Sequence, residues 1–271
     1  MKSRRPAKVI LRRGDASSLL RSLPPGSIDV LITDPPYSTV DRHSSPGSHL
    51  RRWFAGTLTW RKIAPILALA RTKLAKDGVA FVMTNQAGLE DALHAMRTAG
   101  FEEPFRVIAW DKRVPGLGGG LRHQVEYILV GRVPGSRTLT GSDLISVSAV
   151  GPNTAHRYPT QKPDELGRLL AKMARVTRGD TVVDPFCGSG ALLVGSAERG
   201  GTVIGSDTSA RAIALARARL SQATARRPSP AANGGGKGRP TKAAESRGGR
   251  TRAAGRPTRH VRRRVPARRV R

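Results

Sequence analysis

Two short motifs, each set directly after an apolar run, constrain the fold of this chain more than any other feature. VLIT at 30–33 leads into Asp34-Pro35-Pro36-Tyr37, and TVV at 181–183 leads into Asp184-Pro185-Phe186-Cys187-Gly188-Ser189-Gly190. Runs this short and this apolar read as strands buried on both faces, the pattern of a parallel sheet. The residues that follow them then lie at the carboxyl ends of strands, where open α/β sheets place their ligands. The first motif offers a carboxylate, a rigid proline turn and an aromatic face. The second offers a glycine turn against which a cofactor can lie. Together they point to chemistry on a planar ring that bears an amine.

The rest of the chain supplies the alternation such a sheet needs. Strands are expected at 8–11, 28–33, 79–84, 105–110, 125–131, 181–184 and 202–207, with helices at 16–23, 57–75, 87–98, 163–176, 190–199 and 209–220. Pro65 either kinks the second helix or marks a later start, and Gly78 closes that unit. The strand at 125–131 is expected to return antiparallel as the last hairpin of the sheet. Residues 132–157 show little periodicity. The expected fold class is α/β: a Rossmann-like sheet, mostly parallel with one antiparallel hairpin strand, in one domain over residues 1–220.

Beyond residue 220 the composition changes. Residues 221–271 hold 16 of the 48 Lys and Arg and a single acidic residue, Glu245, so this stretch carries about half of the formal net charge of +29. It has no aromatic residue and few aliphatic ones, too little apolar surface to offset chain entropy, and is expected to be a disordered basic tail. Charge of this sign and size calls for a polyanionic partner. No window approaches eighteen consecutive apolar residues and the N-terminus lacks an apolar signal core, which favours nucleic acid over a membrane. The single cysteine, Cys187, excludes an internal disulfide and suits a reducing compartment. None of the six histidines has metal-ligand spacing, and no metal is expected.

Taken in order, these motifs resemble the amino-directed DNA methyltransferases that use S-adenosyl-L-methionine, in the circularly permuted arrangement called the beta class. Asp34-Pro35-Pro36-Tyr37 precedes Phe186-Cys187-Gly188-Ser189-Gly190, and Tyr158-Pro159-Thr160-Gln161-Lys162-Pro163 lies between them as the element ahead of the first cofactor helix. Trp110-Asp111-Lys112 and Glu126-Tyr127-Ile128 are similar to segments of solitary and phage-type members. The resemblance spans residues 8–218. It implies a cytoplasmic, nucleoid-associated or phage-encoded enzyme of double-stranded DNA, solitary or paired with a restriction nuclease, and leaves a homodimer open. It also implies cofactor contacts at Asp15, Thr160, Lys162, Asp184 and Phe186, with Asp15 meeting the adenine amine.

Part of that assignment follows from the residues themselves. Gly188 and Gly190 permit a tight strand-to-helix turn, and Asp207 ends the next strand, where a carboxylate accepts the two hydroxyls of a ribose. A dinucleotide is the rival ligand, but GxGxxG is absent. An exocyclic base amine is a poor nucleophile because its lone pair is delocalised into the ring. Asp34 accepting one of its hydrogens, with the Pro35 carbonyl accepting the other, localises that pair. Pro36 stiffens the turn and Tyr37 offers a face for a flipped base. Cys187 is expected to fill space in the cofactor turn rather than act as a nucleophile.

Two basic loops are candidate DNA contacts: Arg42, His43, Arg51, Arg52 and Trp53 within 38–56, and Lys112, Arg113, Arg122 and His123 within 112–123. Only 132–157 is available for a target-recognition insertion, so sequence reading falls to these loops or is weak. The expected activity is methylation of adenine N6 in double-stranded DNA, with cytosine N4 the alternative. A non-catalytic nucleoid protein on the same fold is the alternative of another class, and it predicts no saturable cofactor binding.

Overall fold

The computed structural model describes residues 8–37, 57–116, 120–151, 158 and 160–225. Arg42, His43, Arg51, Arg52, Trp53 and nearly all of the basic tail lie outside the described residues. Among the described residues eight strands form one sheet: β1 (Val9–Arg13), β2 (Ile28–Thr33), β3 (Leu74–Thr84), β4 (Arg106–Asp111), β5 (Val125–Arg132), β6 (Leu144–Ser146), β7 (Thr181–Asp184) and β8 (Thr202–Asp207). Their spatial order is β1-β8-β7-β2-β3-β5-β4-β6. β5 runs antiparallel to both of its neighbours and every other pairing is parallel. This is the mostly parallel sheet with a permuted strand order that the motif order predicts.

The six α-helices among the described residues cover the two faces: α1 (Ala16–Arg21), α2 (Trp60–Lys73), α3 (Leu89–Thr98), α4 (Asp164–Met173), α5 (Val194–Glu198) and α6 (Ala210–Ala225). All six residues of β2 are buried, as its continuous apolar run requires. The pleat sends Val30 and Ile32 to one face, against Leu166, Leu170 and Leu193, and Leu31 to the other, against Leu19, Ile63 and Leu67. Each strand residue therefore contributes to one of two separate cores.

Four local expectations change. Gly78 does not end a helical unit: β3 starts at Leu74, directly after α2, and Gly78 sits inside it. Between the pairs Ile28↔Leu74 and Val30↔Val79 the register shifts, and a Cβ on Gly78 would stand 2.9 Å from the Ala75 carbonyl and 3.0 Å from that of Ile28. The glycine allows a bulge, not a stop. The β4–β5 hairpin is not the edge of the sheet, because residues 144–146, inside the stretch without periodicity, add β6 beyond β4. Pro65 lies within α2, which begins at Trp60. The last helix runs to Ala225, burying Leu220 and Ala223, so ordered structure continues past the expected boundary at 220.

At the amino ends of the strands, opposite the loops of interest, one arginine ties the sheet together. Arg137 Nη2 lies 3.4 Å from Asp29 Oδ1, 3.0 Å from Asp77 Oδ2 and 3.2 Å from Asp180 Oδ1. These carboxylates belong to β2, to β3 and to the residue before β7. Asp29 also accepts from the Thr181 amide and Asp180 from the Thr177 amide. Removing the cation takes one counter-charge from two buried carboxylates, and breaking a buried pair typically costs about 3–5 kcal/mol. Arg137→Ala is expected to lower unfolding stability by that order in urea titrations, with Arg137→Lys recovering part of it.

Candidate active site

β2 and β7 are neighbours, and the chain leaves them in opposite directions across the sheet, β2 toward β3 and β7 toward β8. Their carboxyl ends therefore open a crevice at the point where the strand order reverses. A cavity of about 520 Å³ lies there, lined by Asp34, Pro35, Pro36 and Tyr37 on one side and by Pro185, Phe186 and Asp207 on another. Asp15 and Thr160 also reach it. Eight of the sequence-predicted residues thus meet in one space, of a size ordinary for a small-molecule site.

The floor is held by Asp184. This side chain is 1 % exposed, and its Oδ1 accepts from Thr33 Oγ1 at 2.9 Å and from the Phe186 amide at 3.0 Å. It ties the ends of β2 and β7 beneath the cavity rather than lining it. Burial pushes its pKa up to about 7. Gly188 and Gly190 likewise shape the turn without lining the cavity. Both have positive φ, +50° and +78°, and a Cβ on Gly188 would stand 2.8 Å from Tyr158 Oη. The Gly188 amide donates to Asp207 Oδ2 at 3.2 Å, while Asp207 Oδ1 accepts from the Ser209 amide at 2.7 Å. Burial raises the Asp207 pKa against those two bonds. Asp15 caps α1, accepting from the amide and hydroxyl of Ser18, and these bonds lower its pKa.

The Asp34 turn is tightly braced. The Tyr37 amide donates to the Pro35 carbonyl at 2.9 Å and the Leu58 amide to the Pro36 carbonyl at 2.6 Å. The Pro35 oxygen expected to receive an amine hydrogen thus already holds one bond, and its second lone pair remains for a ligand. Tyr37 is stacked on Trp60, ring centroids 6.0 Å apart and planes 14° from parallel, a support the sequence did not suggest.

Lys162, expected among the cofactor contacts, meets the Asp34 turn. Its Nζ donates to Asp34 Oδ2 at 2.5 Å. Burial raises the Asp34 pKa and outweighs the opposing pull of that ammonium. Burial also works against the charge of Lys162, but Asp34 and Glu126 overcome it and hold the lysine protonated. The other oxygen, Asp34 Oδ1, is buried and has no hydrogen-bond partner among the described residues. A buried acceptor left unsatisfied in this way is costly and calls for a donor.

The expected DNA-facing residues behave differently from one another. Lys112 turns inward, 3.1 Å from Glu126 and 17 % exposed, so its charge is met within the protein. Arg113 bonds Ser146 through Nε and Nη2. Arg122 and His123 are exposed, with His123 Nδ1 3.0 Å from Gln86 Oε1. Cys187 is 6 % exposed and packs where a Cβ on Gly205 would be 2.9 Å from its Sγ. Burial pushes the thiol pKa up, which is the reverse of what a thiolate nucleophile needs. Among the described residues no group of three His, Cys, Asp or Glu is placed to hold a metal, and no helix is long and apolar enough to cross a membrane.

A DNA methylase family profile matches residues 136–218. The type II methyltransferase M2.DpnII of Streptococcus pneumoniae is 26 % identical over 244 residues, covering 79 % of this chain and 90 % of that protein. Among solved structures, TTHA0409 of Thermus thermophilus in complex with S-adenosyl-L-methionine superposes with a TM-score of 0.56 at 23 % identity, covering 80 % of this chain and 96 % of the other. The PvuII DNA methyltransferase, cytosine-N4-specific, gives 0.62 at 15 % identity, with 82 % and 93 % covered. The fold and the crevice define an open α/β enzyme scaffold with its ligand site at the strand switch. These matches show that the chain shares the fold of the DNA methylases and that residues 136–218 match their family profile.

The raised pKa of Asp184 has a definite sign. A carboxyl whose folded pKa exceeds its unfolded value of 3.8 contributes stability below that value, and the contribution is lost as pH rises toward 7. Asp184→Asn keeps the acceptor for Thr33 and Phe186 and removes the charge. Relative to the parent, the variant should gain on the order of 2–4 kcal/mol between pH 4 and 8, read as a Tm difference that widens with pH.

Proposed function

We propose that this protein transfers a methyl group from S-adenosyl-L-methionine to the N6 amine of adenine in double-stranded DNA. The observation that carries the reading is Asp34 Oδ1, a buried carboxylate oxygen without a partner among the described residues, beside a proline turn and an aromatic ring. The cavity fits the cofactor. Asp15, Phe186 and Asp207 all line it, and in this reading Asp207 accepts the ribose hydroxyls and Asp15 the adenine amine. Thr160 sits on the rim with φ of +58°, a conformation a threonine adopts only when its surroundings impose it.

Bound there, the cofactor would supply an electrophilic methyl group on a sulfonium. Asp34 accepts one hydrogen of the target amine through Oδ1, and the free lone pair of the Pro35 carbonyl accepts the other. Both acceptors would draw the nitrogen out of conjugation and localise its lone pair for attack. They act from fixed positions in a nearly dry pocket, where such placement is worth most. Transfer would break the methyl–sulfur bond, leaving its electron pair on a neutral thioether, and the surplus amine proton would have the Asp34 carboxylate, its pKa raised by burial, beside it as a base. Tyr37, braced on Trp60, presents a flat face to the extruded base.

Cytosine N4 is the second reading, favoured by the likeness to the cytosine-N4-specific PvuII enzyme. The same acceptors serve either amine. DNA phosphates would meet the exposed Arg122 and His123, together with Arg42, His43, Arg51, Arg52 and Trp53, and the basic tail would add salt-sensitive affinity independent of sequence. Incubation with unmethylated DNA followed by nucleoside mass spectrometry tests the reading. N6-methyladenine is expected from the parent, with at least a 1,000-fold loss in Asp34→Ala while cofactor affinity stays within a few-fold. N4-methylcytosine would select the second reading. No methylated base from folded, cofactor-binding protein would reject both.

A further inference from the structure

Four charged side chains of alternating sign run from the catalytic loop into the carboxyl edge of the sheet. Lys162 Nζ lies 2.5 Å from Asp34 Oδ2 and 3.7 Å from Glu126 Oε2, and Lys112 Nζ lies 3.1 Å from Glu126 Oε1. None is more than 21 % exposed. They come from four separate segments: the turn after β2, the residues before α4, β5, and the turn after β4. A buried row of this kind is weak evidence for stability, since desolvating each ion offsets much of the attraction and apolar replacements often serve as well. What the row does provide is direction. The ammonium of Lys162 has three donors and could swing between the oxygens of Asp34. Glu126, itself anchored by Lys112, attracts that ammonium from 3.7 Å through Oε2 without a hydrogen bond, while Lys162 is bonded to Asp34 Oδ2 and Oδ1 is left without a partner among the described residues.

We propose that Glu126, backed by Lys112, is a positioning residue for methyl transfer, holding Lys162 against Asp34 Oδ2 so that Oδ1 stays presented to the target amine. This rests on the reading of Asp34 as the amine's acceptor. Glu126 acts through Lys162 rather than on substrate or cofactor. The charged and titratable groups facing Asp34 are Lys162, Glu126, Tyr37 of its own turn, Asp184 at the end of β7, and Tyr158. After burial, Lys162 favours the ionised carboxylate and Glu126 opposes it. Neutralising Glu126 therefore has two separable effects: Asp34 ionises more readily, and the lysine that orients it is held less firmly.

The test compares the full-length parent with Glu126→Gln and with Glu126→Gln combined with Lys112→Met, which restores the charge balance. Asp34 is followed by carbon-13 carboxyl NMR, its signal assigned by its loss in Asp34→Asn. In Glu126→Gln the Asp34 midpoint should move to lower pH. The kcat at saturating DNA and cofactor should fall at least tenfold, with the KM for S-adenosyl-L-methionine changed less than threefold. The double variant should return the midpoint toward the parent's while kcat stays low, because Lys162 still lacks its anchor. An Asp34 midpoint that stays put, or a parental kcat in Glu126→Gln, would overturn the proposal. A parent that methylates no DNA would sink the proposed activity instead, and the NMR midpoint would still decide whether Glu126 governs Asp34.

Discussion

The pairing of β2 with β7 is the contact on which the rest of the site depends. The two strands share only two register pairs, Val30↔Val182 and Leu31↔Val183, and lie 151 residues apart in the chain where their ends are joined by Thr33 and Asp184. Without that adjacency the acidic turn and the glycine turn would be two unrelated loops. With it, Asp34 and Phe186 face the same cavity. The fastening is inexpensive in backbone and costly in electrostatics, because Asp184 is sealed from water and resists ionisation. A neutral, doubly bonded Asp184 is the better fastener, since it carries no charge that would repel Asp34 nearby.

The site as a whole separates two ways of handling carboxylates. Asp15, at a helix N-terminus and open to solvent, is stabilised in its charged form by local donors. Asp34 is taken out of water and given only one cation, so its affinity for a proton rises while one oxygen stays free. An acceptor for a neutral amine, the role proposed for Asp34, needs this second treatment. A carboxylate saturated by donors would have no lone pair to offer, and one exposed to water would spend its lone pairs there. Asp207 lies between the two, bonded by two amides yet partly exposed to the cavity, as suits a group that must exchange its remaining bonds with a ligand.

Much of this was legible in the sequence because it rests on local signals. The fully buried β2, the antiparallel β5 and the placement of both motifs at strand ends follow from apolar runs, glycine turns and alternation. What escaped notice depends on contacts between distant segments. Lys162 reads as part of a segment beside the cofactor helix, and only the fold, across 128 residues, brings it to Asp34. Glu126 opens an apolar strand, where a charge normally faces solvent, and it is the lysines from two other segments that bury it. Trp60 looks like an ordinary first residue of an amphipathic helix, and its role in bracing Tyr37 exists only once α2 packs under the turn. The three-residue β6 is too short for any period to announce it, and Gly78 carries the same letter whether it stops a helix or lets a strand bulge.

The order of motifs along the chain matters less than the geometry they reach. A parallel sheet presents all its ligand-bearing loops on one edge, so the chain may visit the acidic turn before or after the glycine turn and still build one crevice. Order does matter for the segment between them. Here that segment carries β3, β4, β5 and β6, then returns through Lys162 into α4 before reaching β7. The return places a lysine from just ahead of the glycine turn onto the carboxylate of the acidic turn, a contact that spans both halves of the site. The two halves are thus coupled by charge as well as by the Thr33–Asp184 bond, and a shift of the segment at 160–163 would move the Asp34 counter-ion and the cavity rim together.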